Sequence, residues 1–196
     1  MRPSGNYLLI LICIFSIPLV RCGQENAKLE AEPVSGSNSS FDKPLCQILL
    51  KEEMQQLTGV IFNEVTETVH NYDNTSGKYV SQCAYYTGKG IEHIAVLLSH
   101  IKNYSYPTDI EKMLASSKTG DPELDAEIDE SIISSKKVEE LGDAAYWYPL
   151  FDGATLTVVV NKNYQILITS HGFSFDNTTL EMYKKVAQKI ISLIKE

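Results

Sequence analysis

Leu180, Tyr183, Val186, Ala187, Ile190, Ile191 and Ile194 recur at helical spacing and draw one apolar face along the C-terminal segment. A helix with such a stripe has to bury it, since roughly 25 cal/mol is gained per Å² of apolar surface taken from water. The stretches just before it supply a partner. Residues 144–148, 155–160 and 164–170 read as strands, and Asn161-Lys162-Asn163 joins the last two as a turn. The helix is therefore expected on a sheet, opened by Thr178-x-x-Glu181 as its capping box.

The first half of the chain resembles this half in its elements but not in its residues, and is not read as a repeat of it. Apolar positions at Leu45, Ile48, Leu49, Met54 and Leu57 predict a helix over 45–57, closed by Gly59 as a left-handed cap. Strand-like runs follow at 60–69, 79–87 and 91–99, with Gly88-Lys89-Gly90 turning between the last two. Between the halves, Thr108-x-x-Glu111 is a further capping box, and Asp121-Pro122 opens a helix striped by Leu124, Ile128 and Ile132. The expected fold is α+β: an antiparallel sheet of about five or six strands, with N-terminal, middle and C-terminal helices packed on it.

Residues 8–20 form an apolar stretch of thirteen residues, LLILICIFSIPLV, after a start whose only charged side chain is Arg2. That length suits the core of a signal peptide and falls short of the roughly 20 residues a spanning helix needs. The expected organisation is a signal over 1–22, a flexible polar linker over 23–43 and a single domain over 44–196. Two processing routes fit the boundary. Leu19-Val20-Arg21-Cys22 resembles a bacterial lipobox, which would lipidate Cys22, although Arg21 departs from its small-residue pattern. Ordinary cleavage after Cys22 would instead use Val20 and Cys22 as the small residues at −3 and −1. Either route exports the domain, to the periplasm, to a membrane-anchored place in the cell envelope, or to the outside. Cys46 and Cys83 are then an even pair in oxidising surroundings, and a disulfide is expected between them.

Cys46-x-x-Leu49-Leu50-x-x-Glu53 ending at Gly59, Cys83-x-Tyr85, and Leu141-Gly142-Asp143-Ala144-Ala145-Tyr146-Trp147 ahead of a hydrophobic hairpin resemble a family of small bacterial exported lipoproteins of uncharacterised function. The resemblance runs from Cys46 to the C-terminus, and the Leu-Gly-Asp-Ala-Ala run is its most specific motif. It implies a cell-envelope α+β domain with a Cys46–Cys83 bond, and it implies no catalytic residues.

Charge removes one class of partner. Taking the only arginines, Arg2 and Arg21, from 17 basic residues leaves 15 lysines against 25 acids, a net charge of −10. An acidic surface without a guanidinium fork excludes nucleic acid. Membrane contact is expected only through a lipid on Cys22. No cofactor and no metal are expected: His93 and His100 are an odd number of residues apart on one strand and so face opposite ways. The acidic run from Asp121 to Glu130 has Ala126 and Ile132 where a calcium loop needs Gly and Glu, and reads as a solvated helical face. No catalytic residues are assigned, because Ser99-His100 and Ser170-His171 are chain neighbours, not a nucleophile set against its base.

Among 11 tyrosines, Tyr85, Tyr146 and Tyr148 are expected to form a ligand or partner surface, since tyrosine joins contact area to a polar tip. Trp147, alternating with the last two, is expected in the core. The expected function is a non-enzymatic binding or interaction domain for an envelope protein or small ligand. Two other classes stay open. One is a hydrolase joining His171 or His100 to Asp143 or Asp152. The other is an assembly module of a larger envelope complex, which would expose an apolar patch above about 400 Å².

Overall fold

The computed structural model describes residues 43–194 apart from 74, 76, 116 and 151. The expected signal, Cys22 and the linker up to residue 42 lie outside the described residues. The helix expected over 45–57 is two helices, α1 (Leu45–Ile48) and α2 (Lys51–Thr58), with Gly59 at φ 72° as the left-handed cap of the second. The break has a cause in the sheet below. Leu45 and Leu49 are both fully buried, and the Tyr85 hydroxyl donates to the Leu49 carbonyl at 2.5 Å, an acceptor that a continuous helix would have used for itself.

Three strands follow, β1 (Glu64–Asp73), β2 (Lys78–Tyr86) and β3 (His93–Ile101), then α3 (Ile110–Ala115) and α4 (Pro122–Ser134). The second half contains β4 (Lys136–Lys137), β5 (Ala144–Leu150), β6 (Gly153–Val160), β7 (Tyr164–His171) and α5 (Asn177–Ile194). Among the described residues the sheet has seven strands in the order β1-β2-β3-β7-β6-β5-β4, every neighbouring pair antiparallel. The count corrects the expected five or six. The addition is β4, whose two lysines pair with Trp147 and Tyr146 and are too short to show an alternating pattern. Two capping boxes are corrected as well. Asp109, not Thr108, accepts from the N–H groups of Glu111 and Lys112, and Asp176, not Thr178, accepts from Thr179. An aspartate one residue downstream of Thr108, and one two residues upstream of Thr178, provides the capping oxygen instead. At α4, Asp121 caps as expected, accepting from Glu123 and Leu124 ahead of Pro122.

Two meanders, β1–β2–β3 and β4–β5–β6–β7, therefore meet at a central seam between β3 and β7. The sheet has two unlike faces. On the front face, Tyr79, Cys83 and Tyr85 of β2, Ile94, Val96 and Leu98 of β3, Trp147 of β5 and Leu156 and Val158 of β6 join one buried cluster with Leu45, Leu49, Met54, Tyr183, Val186 and Ile190. Helices α1, α2 and α5 seal this face, and the Lys189–Glu53 ion pair at 2.7 Å ties α5 to α2. Trp147 sits at its centre, stacked on Phe175 and edge-on to Tyr183. On the back face, α3 and α4 pack over β5 and β6, where Met113 meets Ala144 and Val159, and Leu114 and Ile128 meet Tyr148. The Cys46–Cys83 disulfide fastens α1 to β2, a separation of 37 residues. Among the described residues no helix is long and apolar enough to cross a membrane.

Candidate functional site

The three tyrosines expected as a surface do not make one. Tyr85 is 0% exposed and packs against Phe62, with its hydroxyl spent on Leu49; burial, and then the Glu53 carboxylate, push its pKa well above the ordinary value. Tyr148 is 1% exposed, its hydroxyl shares a hydrogen bond with Thr157 at 2.8 Å, and burial pushes its pKa up to about 12. Tyr146 is half-buried, and its hydroxyl donates to the Thr108 carbonyl at 3.3 Å. The surface expected at Tyr85 and Tyr148 is corrected: a phenol stripped of water needs an internal partner, and each has found one.

The histidines separate by face and by end. His100 lies on the front face at the far end of β3, stacked on Tyr164 with its Nε2 3.2 Å from Asn163; burial lowers its pKa, opposed by a hydrogen bond that the ring donates to the Gly77 backbone. His70 lies on β1, edge-on to Tyr79. Asp143 accepts from the Lys162 N–H at 2.7 Å and so braces the turn after β6. None of these reaches another candidate. Ser99 accepts from the Tyr106 hydroxyl, and Ser170, on the front face, accepts from the Ala154 N–H.

Four side chains do converge, at one end of the back face. β2, β3 and β7 are in register so that Tyr86 lies opposite His93, and His93 opposite His171. All three are half-buried. The Tyr86 and His93 rings are 5.0 Å apart, and the His93 and His171 rings stack at 6.0 Å with 19° between planes. Asp152, in the turn between β5 and β6, reaches the Nδ1 of His171 at 2.5 Å. Burial, and then the charges of Glu130, Asp152 and Glu123, raise the pKa of Glu127 on α4. Of the four histidine–aspartate pairings that a hydrolase would draw on, one is made, His171 with Asp152.

The hydrogen bonds set the tautomers. The Ile91 carbonyl, 2.7 Å from His93 Nδ1, can only accept, and so can the Asp152 carboxylate. Each Nδ1 therefore carries its proton, and in the neutral ring the lone pair lies on Nε2. Among the described residues no three or more His, Cys, Asp or Glu side chains are arranged to hold a metal ion. The acidic helix is committed elsewhere: Asp125 accepts from the Thr119 and Gly120 N–H groups, and Asp129 pairs with Lys118.

Tyr86, His93 and the His93–His171 pairing were not read from sequence. The one signal for them was positional: His93 opens its strand and His171 closes its own, so antiparallel neighbours of that kind would meet. No family model, curated protein or solved structure matches the chain. The fold and site define it only as an antiparallel α+β domain with a histidine-bearing open sheet face.

Proposed function

We propose that this is an exported, non-enzymatic binding domain of the cell envelope, and that its ligand meets the row formed by Tyr86, His93 and His171 with Asp152 beside it. One observation carries the reading: residues from opposite halves of the chain present two oriented imidazoles and an aromatic ring on one half-exposed strip of sheet. The strip combines apolar area with a few directed polar atoms, the combination that small ligands use. The Cys46–Cys83 disulfide supports an oxidising compartment, and the resemblance to small envelope lipoproteins supports the location. Fractionation with intact-mass measurement tests the compartment. A cytosolic chain retaining Met1 and carrying two reduced thiols would end the export reading.

A second reading has a specific observation in its favour. His171 held by Asp152 is the orienting half of a catalytic triad, and a hydrolase would use His171 Nε2 as its base. The neighbouring hydroxyl, Ser170, points to the other face. Hydrolysis of a p-nitrophenyl ester by the wild type and by His171→Ala separates the two. The binding reading expects equal rates, and turnover that falls with His171→Ala establishes the hydrolase instead.

A further inference from the structure

We propose that His93 and His171 form a two-histidine site for a divalent transition-metal ion, which names the ligand class of the surface above and rests on that reading. Antiparallel pairing sets the two residues directly opposite each other, and both side chains leave the back face. Such opposed residues have Cβ atoms about 4.5–5.5 Å apart. In this structure the rings stack with centroids 6.0 Å apart, so converging on one ion at about 2.0–2.1 Å requires them to turn about their side-chain torsions.

Hydrogen bonding on the far side of each ring separates this pair from two neighbouring surface histidines. A metal-binding histidine characteristically gives its other N–H to a carboxylate or a backbone carbonyl, which fixes the tautomer and raises the basicity of the ligand nitrogen. Both kinds of partner are in place here. Ile91 holds His93 and Asp152 holds His171, so Nε2 is the free nitrogen of each ring. Tyr86 supports His93 from the side away from His171. Asp152 brings negative charge directly beside His171.

The strand on the far side of His171 is kept clear. The Thr155–Thr169 pairing, continued by two residues, brings Gly153 alongside His171. A Cβ on Gly153 would collide with the Ser170 carbonyl, so no side chain is tolerated there. Two protein ligands leave the other coordination positions to water or to a second molecule. The ion is therefore presented outward and not enclosed. Imidazole donors suit copper, zinc and nickel, whereas magnesium and calcium favour oxygen.

The test is a titration of the chelator-treated, purified protein with Cu²⁺ and with Zn²⁺, followed by calorimetry and, for Zn²⁺, by the imidazole resonances. One equivalent is expected, tighter for copper than for zinc. It should perturb His93 and His171 and leave His70 and His100 unchanged, while Mg²⁺ perturbs none. His93→Ala and His171→Ala are each expected to weaken binding by more than about tenfold, and Asp152→Asn, which keeps both ligands, by about tenfold. The wild-type resonances report the site even if a variant folds poorly. Lack of stoichiometric binding, binding unchanged in both alanine variants, or shifts centred on α4 would each overturn the proposal. A protein that binds no metal and shows no His171-dependent ester hydrolysis loses the ion alone and keeps the binding reading.

Discussion

On the front face, Tyr85 and Trp147 are sealed beneath α1, α2 and α5 with Tyr183 of α5 packed on Trp147, and the Tyr85 hydroxyl serves the fold. On the back face, Tyr86, His93 and His171 stand half-exposed, and the Nδ1 atoms of the two histidines meet Ile91 and Asp152. Tyr85 and Tyr86 are consecutive, yet one is interior and the other borders the candidate site. A strand has a period of two, so a single step along it changes what a tyrosine is for. Residue type marks a candidate, and parity together with the covering helices decides its role.

Four measurements bear on that contrast. The largest effect is expected at the centre of the sealed face, where Trp147→Ala should cost about 3–5 kcal/mol in denaturant unfolding, because the surrounding rings cannot close the cavity. His93→Ala, on the open face, should stay within about 0.5 kcal/mol. Equal losses would mean that the two faces are alike. Next is the Cys46–Cys83 bond, which pins the sealed face. Closing that loop stabilises by about 4 kcal/mol on chain entropy, and Cys46→Ala with Cys83→Ala should lower the urea midpoint correspondingly.

Alkaline titration ranks third. The buried phenols of Tyr85, Tyr148 and Tyr183 all titrate above the ordinary value of 10.0, so above pH 10 the folded state holds more protons than the unfolded state. Stability is then complete below pH 10 and falls as pH rises. For Tyr148 the loss is about 1.4 kcal/mol per pH unit until its folded value of about 12 is reached. Phenolate absorbance of these three should appear only with unfolding. Smallest is the hydroxyl deletion. Tyr85→Phe leaves the Leu49 carbonyl without its partner and should cost about 1–2 kcal/mol, whereas Tyr146→Phe should cost about 0.5 kcal/mol or less.

Where local pattern and burial agree, the chain was legible. The stripe of α5, the Asp121-Pro122 start of α4, the Gly59 cap and the six longer strands all follow from periodicity and turn chemistry, and all appear within a few residues of expectation. The joining of α1 to β2 followed from compartment and cysteine count. The break at Leu49-Leu50 was not legible, because its cause is a hydroxyl from β2 that no local window contains. The site was hidden for a related reason. It depends on β3 and β7 being neighbours, and strand order between two meanders leaves no trace in the periodicity of either. Tyr85 and Tyr86 are one residue apart, and only Tyr86 is left half-exposed.

The β3–β7 seam also dictates an order of assembly. The first meander can form its hairpins alone, but the surface it shares with the second half stays bare until β7 and then α5 have been synthesised. Tyr183, Val186 and Ile190 close the core last, so a nascent chain released early would expose its stickiest surface.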